Sequence, residues 1–307
     1  MEFEVLVVGG GVAGMAAALG LGRSRRMTLV CSGGPPRNAP ASHSHNFLTR
    51  DGTPPLEILA IARQQLRPYD SVTVRDVTVA SLQRQEDGTF RATLSDGAMV
   101  TARKVVLATG MRDDLQVLPG LREHWGHSAF ACPFCHGWEV RDQPWAVMMD
   151  DPGQFAMVKI ALGWSKDLLL CSRSQLELTP EQSAGLRRNG IKVASSPVMA
   201  LVGEERLEGL LLADGQRVAR SALMIRPPLS QRSPLAADLG CELDTLGYVK
   251  VDMFGMTTVA GVFAVGDMTT MMHAVAMAVA SGSKAAGGVH HLLSEEEFER
   301  GDEPGLV

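Results

Sequence analysis

The sequence has neither an excess of positive charge nor a long apolar run, and each absence excludes a class of protein. Its 29 Lys and Arg against 34 Asp and Glu give a net charge of −5, which argues against a surface that binds nucleic acid through phosphates. No uninterrupted apolar stretch approaches the ~20 residues that span a bilayer. An acidic start that runs directly into a strand is unlike a signal peptide. We therefore expect a cytoplasmic protein that binds neither nucleic acid nor a membrane.

Cysteine is also scarce. Five Cys in 307 residues, an odd number in a chain of this length, are unlike the framework of a disulfide-stabilised secreted protein. With 45% hydrophobic and 21% charged residues, the composition is that of a globular protein and excludes disorder or collagen-like repeats. At one domain per ~150 residues, the length predicts about two domains. A cysteine pair in such a protein is expected to serve catalysis.

Glycine is abundant, and three of the 32 glycines follow the first strand in a nucleotide-binding pattern. Residues 4–8 are apolar, and Gly9, Gly11 and Gly14 then have the G-x-G-x-x-G spacing before a helix of small residues. The first glycine permits the turn, the second lets a pyrophosphate approach, and the third allows close packing of helix and strand. The second strand lacks the acidic residue that usually holds a ribose, so Ser32 is the candidate that offers a hydroxyl there.

Cys132 and Cys135 form a C-x-x-C pair followed directly by His136. A structural zinc site would need a second ligand pair, and the c-type haem pattern C-x-x-C-H would need an export signal, so a redox-active dithiol is favoured. A thiolate in such a motif has a pKa below the free value of ~8.5. His136 is the candidate general acid/base, the alternative being a surface histidine after a turn. His43 and His45 lack an accompanying carboxylate pattern, so no metal site is predicted.

Two further apolar strands lead into polar turns, Ala108-Thr109-Gly110 after residues 105–107 and Gly266-Asp267 after residues 261–265. Together with the glycine-rich turn and the C-x-x-C pair, these motifs resemble, over nearly the whole chain, the flavoprotein disulfide reductases of the low-molecular-weight thioredoxin reductase type. The resemblance implies FAD as the cofactor. The residues expected beside FAD are Gly9, Gly11, Gly14, Ser32, His45, Asn46, Ala108, Thr109, Gly110, Gly266, Asp267, His273 and Ala274.

The resemblance also implies a role for the main site residues. Asp267 would hold the ribityl hydroxyls, and the helix beginning near His273 would direct its amides at the flavin pyrimidine edge, where reduced flavin carries negative charge. Cys132 would exchange with substrate and Cys135 would face the flavin. His136 stands where thioredoxin reductases usually carry an acidic proton donor.

The fold implied is α/β, with two Rossmann-like domains of the three-layer ββα type, the second inserted into the first. The FAD domain would comprise 1–113 and 246–307, and the inserted domain, 114–245, would carry the dithiol. Strand-like runs at 145–149, 167–171, 191–194 and 222–225 fit this second α/β unit. The acidic run 294–300 is expected to be a solvated helix end, and the resemblance implies a homodimer.

The inserted domain lacks the usual signals for NADPH. After the strand 145–149 come Asp150 and Asp151, with a single glycine, where a pyrophosphate would have to approach, and two carboxylates repel phosphate there. After the next strand, Arg173 is the one arginine available for a 2′-phosphate. We therefore expect no efficient NADPH binding.

The missing NADPH signals decide which function the sequence favours. The C-P-x-C-H-G segment at 132–137 resembles that of FAD-dependent dithiol oxidases, which close disulfides in dithiol metabolites of the gliotoxin and holomycin type. The chain also resembles thioredoxin reductase-like flavoproteins that use donors other than NADPH. We expect a small-molecule dithiol or a thioredoxin-like protein to reduce the cysteine pair, and O₂ to accept the electrons through FAD as hydrogen peroxide. The alternatives are a reductase driven by NADPH or another donor, and a non-catalytic flavin-binding redox sensor.

Overall fold

A computed structural model of the chain describes residues 2–301, so residues 302–307 at the end of the expected second FAD-domain segment lie outside the described residues. Two compact units are present. Unit 1 comprises residues 2–39, Asn46–Arg112 and residues 230–301, and unit 2 comprises Pro40–His45 and Asp113–Leu229.

Both units combine strands and helices. The strands are β1 (Glu2–Val8), β2 (Thr28–Cys31), β3 (Val72–Arg75), β4 (Val79–Arg84), β5 (Phe90–Leu94), β6 (Met99–Leu107), β7 (Met111–Asp113), β8 (Ala129–Phe130), β9 (Trp145–Met148), β10 (Leu168–Cys171), β11 (Lys192–Val193), β12 (Val198–Val202), β13 (Gly209–Leu212), β14 (Arg217–Ala219), β15 (Ala222–Met224), β16 (Leu229–Gln231) and β17 (Val262–Ala264). The helices are α1 (Val12–Arg23), α2 (Pro55–Leu66), α3 (Leu121–His124), α4 (Pro133–His136), α5 (Ala156–Ala161), α6 (Pro180–Arg188), α7 (Leu235–Asp238) and α8 (Val275–Arg300), with 3₁₀ turns at Pro152–Phe155 and Gly266–Thr269.

Unit 1 is built on a parallel sheet in the order β3-β2-β1-β6, extended by β17 on the last half of β6, while β5 and β4 continue antiparallel from its first half. Val8 is level with Cys31 on one side and Leu107 on the other, and Leu107 is level with Ala264. The strands β1, β2, β6 and β17 therefore end together, and the residues that follow them share one edge of the sheet.

Unit 2 repeats this plan with its own parallel sheet, in the order β11-β10-β9-β15-β8, and a separate antiparallel sheet of β12, β13 and β14. The strand order matches that of β3-β2-β1-β6-β17 in unit 1. The four strand-like runs expected in this region correspond to β9, β10, β11 and β15. The structure confirms the predicted α/β fold with two related nucleotide-binding units.

The units divide the chain at different residues from those expected. The chain returns to unit 1 at Ser230 rather than at 246. The reason is local, since the backbone N–H of Arg232 donates to the carbonyl of Gly110 at 3.1 Å, and α7 packs against β4. The short segment Pro40–His45 groups with unit 2, where an added Cβ at Gly126 would lie 2.9 Å from the backbone nitrogen of Ala41.

The acidic end of α8 is solvated on one face, as the sequence predicted, with Glu295 and Glu299 exposed, but its other face is ion-paired. Oε1 of Glu297 lies 2.7 Å from Nη1 of Arg26 and 2.7 Å from Nη1 of Arg103. Glu296 pairs with Lys104. Arg26, which is buried, also pairs with Glu4 at 2.7 Å. These cations come from β6 and the segment before β2, so the helix end is held on the sheet by a network of ion pairs. Within residues 2–301, no helix combines the length and apolar character needed to cross a membrane.

Helices α1 and α8 approach each other closely because glycines lie at their contact. A Cβ added at Gly282 of α8 would lie 2.1 Å from the carbonyl oxygen of Ala13, and one at Gly20 would lie 2.6 Å from the Cβ of Ala286. Both distances are below van der Waals contact, so the helices would have to separate to admit a methyl group.

We therefore predict that Gly282→Ala destabilises the protein by about 1–3 kcal/mol, because overpacking outweighs the better helix propensity of alanine. Gly287→Ala, on the same helix where nothing lies within 4 Å, is the matched control and should be neutral or stabilising by up to about 1 kcal/mol. Thermal and urea unfolding of the full chain measure both. Equal midpoints for the two variants would show that close packing at Gly282 is unimportant.

Candidate functional site

The glycine-rich turn of unit 1 leaves room for a ligand at one glycine and for none at the other two. Gly9 has φ of 120°, and a Cβ there would lie 2.2 Å from the carbonyl oxygen of Ala108. A Cβ at Gly14 would lie 1.9 Å from the carbonyl oxygen of Gly9. At Gly11, which precedes α1, a Cβ would meet nothing within 4 Å. This open space at the helix N-terminus, where no side chain caps the amides, fits the approach of a pyrophosphate.

Ser32 lies over the same turn, at the end of β2. A Cβ added at Gly10 would be 2.1 Å from its Oγ, and that oxygen accepts a hydrogen bond of 2.8 Å from Arg63 on α2. Arg63 is also paired with Asp76. The hydroxyl that replaces the usual acidic residue is thus held in place by an arginine, which sequence reasoning missed because no spacing rule connects α2 to the end of β2.

The end of β17 carries a second polar cluster in unit 1. Asp267 accepts a hydrogen bond of 2.9 Å from Arg37, whose guanidinium also lies 2.8 Å from Nδ1 of His273. Arg37 is a further residue that the sequence did not reveal. The imidazole of His273 contacts the ring of Tyr248 edge-on, with ring centroids 5.8 Å apart.

The remaining predicted cofactor residues of unit 1 follow the level strand ends. Ala108 lies against Gly9, and Thr109 contacts Met268, with its Oγ1 3.6 Å from Sδ. Gly110 and Gly266 have φ of 72° and 77°, a conformation that favours glycine. The helix expected to begin near His273 begins at Val275, with Ala274 at its N-cap and no side chain capping its amides.

The boundary between the two units falls between His45 and Asn46, the two consecutive residues that the sequence placed beside the flavin. His45 belongs to unit 2, where its Nε2 lies 3.4 Å from a carboxylate oxygen of Glu139. Asn46 belongs to unit 1, with φ of 59° and its backbone N–H donating to Asp51 at 2.7 Å. Within residues 2–301, no three His, Cys, Asp or Glu side chains are grouped so as to hold a metal ion.

The dithiol of unit 2 lies on the short helix α4, with Cys132 at its N-cap and Cys135 one turn later. The two Sγ atoms are 2.7 Å apart and are not joined in a disulfide. The pKa of Cys132 is lowered to about 7, chiefly by the hydrogen bond from the Cys135 thiol and also by the backbone amides of Cys135 and Phe134, while burial opposes the shift. At neutral pH a large part of Cys132 is therefore the reactive thiolate.

His136 stands beside the dithiol and stacks on Phe130, with ring centroids 5.6 Å apart and the planes 11° from parallel. Burial lowers the pKa of its imidazole, although the charge of Glu139 opposes this. Both ring nitrogens are buried and have no hydrogen-bond partner among the described residues. The sequence predicted titration near neutrality, whereas burial favours a neutral imidazole, which can accept a proton from a thiol.

Aromatic side chains surround the helix that carries the dithiol. Phe134, between the two cysteines, is 64% exposed and rests edge-on against Trp164, with ring centroids 5.1 Å apart. Trp138 is 65% exposed, and the guanidinium of Arg141 lies 4.0 Å above its ring. Large exposed aromatic surface is uncommon unless it binds something, so these residues are candidates for substrate contact.

The other three cysteines have the opposite environment. Cys31, Cys171 and Cys241 are buried. Burial raises the pKa of Cys31 to about 11 and also raises the pKa of Cys171 and of Cys241. Their thiols remain protonated at neutral pH and unreactive.

At the ends of β9 and β10, where the nucleotide crevice of unit 2 is expected, the polar side chains pair with one another or with nearby backbone amides. The carboxylate of Asp150 accepts hydrogen bonds from the backbone N–H and the Nε of Arg173, both at 2.8 Å, and from Ser172 at 3.1 Å. Asp151 caps the following 3₁₀ turn by accepting from the N–H of Gly153 at 2.6 Å. The sequence predicted repulsion by two bare carboxylates. Instead, Asp150 neutralises the one arginine available for phosphate, and Asp151 occupies the amides.

Comparison with known proteins places the chain in a family. Residues 3–158 and 165–282 match the pyridine nucleotide-disulphide oxidoreductase family. Thioredoxin reductase aclD of Aspergillus oryzae is 31% identical over 96% of this chain and 98% of its own, and thioredoxin reductase sirT of Leptosphaeria maculans is 32% identical over 94% and 93%.

Two solved structures have the same architecture. HlmI is 37% identical with a TM-score of 0.92, covering 98% of this chain and 95% of its own. An oxidoreductase from Agrobacterium tumefaciens is 33% identical with a TM-score of 0.90, covering 96% and 99%. These matches confirm the resemblance inferred from the motifs. They also confirm FAD, the cofactor that the resemblance implies. The chain therefore belongs to the pyridine nucleotide-disulphide oxidoreductase family, among the thioredoxin reductase-like flavoproteins, which are FAD-binding oxidoreductases acting on sulfur groups.

Proposed function

We propose that this flavoprotein is a dithiol oxidase, which closes a disulfide in its substrate and reduces O₂ to hydrogen peroxide. The observation that carries the proposal is a reactive dithiol in a unit whose expected nucleotide crevice carries the internally paired Asp150, Asp151 and Arg173. Electrons then enter at the cysteines rather than from NADPH. FAD, when bound, accepts the electron pair of the dithiol and passes it to O₂.

The polar groups of unit 1 fit this cofactor. The open space at Gly11 and the uncapped amides of α1 suit the pyrophosphate, and the hydroxyl of Ser32 suits the adenosine ribose. Asp267 is the acceptor for ribityl hydroxyls, and the uncapped N-terminus of α8 favours negative charge on the flavin.

The residues of unit 2 carry out the thiol exchange. In the oxidised enzyme a substrate thiolate attacks Sγ of Cys132, and the disulfide breaks with its electron pair leaving on Cys135. The second substrate thiolate then attacks the substrate sulfur of the mixed disulfide and expels Cys132. A sulfur whose pKa is about 7 is a good leaving group, so this second step is favoured at neutral pH. Neutral His136 accepts the protons that the substrate thiols release.

The substrate we propose is a small apolar dithiol, because the exposed rings of Phe134 and Trp138 flank the cysteine pair. A thioredoxin-like protein is the alternative partner, and the names of the relatives aclD and sirT favour it. The family resemblance supports a homodimer, and a cytoplasmic location is also part of this proposal.

Reduction of the flavin in the absence of air distinguishes a dithiol oxidase from an NADPH-driven reductase. We expect dithiothreitol to bleach the flavin absorbance and NADPH to leave it unchanged, because the crevice of unit 2 does not accept the nucleotide. Admission of air should restore the colour once the dithiothreitol is consumed, with one hydrogen peroxide formed for each dithiothreitol oxidised. Rapid bleaching by NADPH would instead identify a reductase, and a flavin that is reduced but sustains no steady-state thiol consumption would identify a redox sensor.

Replacement of single cysteines tests their roles in the same assay. Cys135→Ser should abolish turnover while the protein stays yellow, because no disulfide can form on the enzyme. Cys241→Ser, at a buried cysteine outside the dithiol, is the control and should retain turnover. Full activity of Cys135→Ser would refute the proposed exchange.

Gly11→Ala tests the dinucleotide site without disturbing the fold. The new methyl group meets no protein atom within 4 Å but enters the space assigned to the pyrophosphate. We expect the stability of the apoprotein to be unchanged and the affinity for FAD to fall at least tenfold, measured by fluorescence titration of the cofactor-free chain. Gly185→Ala, which also meets nothing within 4 Å but lies on α6 of unit 2, should leave the affinity for FAD as it is. Equal affinities for the two variants would show that the pyrophosphate does not pass over Gly11.

A further inference from the structure

An arginine lies beside the dithiol on the neighbouring strand of unit 2. Strands β8 and β15 are parallel neighbours, with Met224 level with Phe130. The pairing continues one residue further, since the backbone N–H of Ile225 donates to the carbonyl of Phe130 at 2.9 Å. Cys132 follows Phe130 by two residues and Arg226 follows Met224 by two. Register therefore brings Arg226 and Cys132 to the same level at the carboxyl edge of the sheet.

The charge of Arg226 is not neutralised by the protein. Within residues 2–301 its guanidinium, which is exposed, makes no ion pair with a carboxylate. Two other arginines of unit 2 are ion-paired, Arg173 with Asp150 and Arg220 with Asp167. The positive charge of Arg226 acts on Cys132 and favours its thiolate.

The other ionisable groups near the dithiol do not supply a permanent positive charge that favours the Cys132 thiolate. The Cys135 thiol donates to Cys132 but is consumed when the disulfide forms. His136 is kept neutral by burial, and its charged neighbours are Glu139, His45 and His127. Arg226 is thus the permanent cation of this cluster that acts on Cys132.

We propose that Arg226 is a positioning residue of the reaction, which holds Cys132 as a thiolate. The inference rests on the proposed function, in which Cys132 exchanges with substrate. When the second substrate thiolate attacks the mixed disulfide, the bond between substrate and Cys132 breaks and its electron pair remains on Sγ of Cys132. The guanidinium stabilises the negative charge that appears there, and no proton is needed. The same charge keeps Cys132 ionised in the reduced enzyme.

The test measures the thiolate directly, apart from oxidase turnover. In the Cys135→Ser background of the full, FAD-loaded chain, the rate of alkylation of Cys132 by iodoacetamide is followed from pH 5 to 9. Mass spectrometry confirms the modified residue. The three buried cysteines should stay unmodified because their thiols are protonated.

We expect Arg226→Met to raise the pKa of Cys132 and to slow alkylation at pH 6 by about threefold, a modest effect because the cation is exposed. Arg226→Lys, which keeps the charge, should restore most of the rate. In 1 M salt the difference should shrink, since the Debye length is then about 3 Å. Arg217→Met, at an exposed arginine on β14 of the same unit, is the matched control and should not change the profile.

Two results would overturn the inference: the same pH profile for Arg226→Met and Arg217→Met, or a lysine variant as slow as the methionine variant. The lysine rescue separates an effect of charge from a local disturbance of the fold. Failure of the proposed function has a different signature. If O₂ does not reoxidise the reduced flavin but Arg226→Met still slows alkylation, the oxidase proposal is wrong and the role of Arg226 stands.

Discussion

The reactive groups of both units depend on one constraint: neighbouring parallel strands end at the same level. In unit 1, Val8, Cys31, Leu107 and Ala264 form a continuous row across the sheet, and the glycine-rich turn, Ser32, Ala108 and the 3₁₀ turn with Asp267 follow that row directly. In unit 2 the same rule brings Asp150 next to Ser172 and Arg173, and Arg226 level with Cys132. A shift of one strand by a single residue would turn these side chains to the opposite face, so the chemistry of each site is set by register.

The residues that follow this row in unit 1 form a site only because helices α1 and α8 pack close to the strand ends and to each other. Gly14 and Gly9 bring α1 onto the turn, and Gly282 brings α8 onto α1 at a distance that a single methyl group would prevent. The ion pairs of Glu297 with Arg26 and Arg103 then fix the far end of α8 on the sheet. The N-terminal amides of α8 are not capped by protein side chains.

Much of this was predictable from the sequence because the signals are local. The glycine spacing, the C-x-x-C pair and the strand that precedes each are short motifs whose physical requirements are contained within a few residues. Arg37, Arg63 and Arg226 were missed for one reason: each acts on a residue far away in the chain, through strand pairing or helix packing that no spacing encodes. The ion pairs at the end of α8 were missed for the same reason, because the acidic run pairs with cations that lie far away in the chain.

The two units share one fold but differ at the place where a phosphate would approach. Unit 1 keeps glycine where the phosphate approaches, whereas unit 2 places Asp150 and Asp151 there and satisfies both carboxylates internally. In the proposed reaction electrons do not come from NADPH, so the cysteine pair must both receive electrons and release the product. These tasks set opposing demands, because a lower pKa makes a thiolate more abundant and a better leaving group but a weaker nucleophile. A pKa near the ambient pH balances them. For Cys132, the Cys135 thiol lowers the pKa most, and the backbone amides of Cys135 and Phe134 and, least, the exposed charge of Arg226 lower it further. Burial raises it, and the value of about 7 results from that opposition. An exposed cation suits this balance better than a buried one, since its smaller effect leaves Cys132 nucleophilic enough to close the enzyme disulfide again.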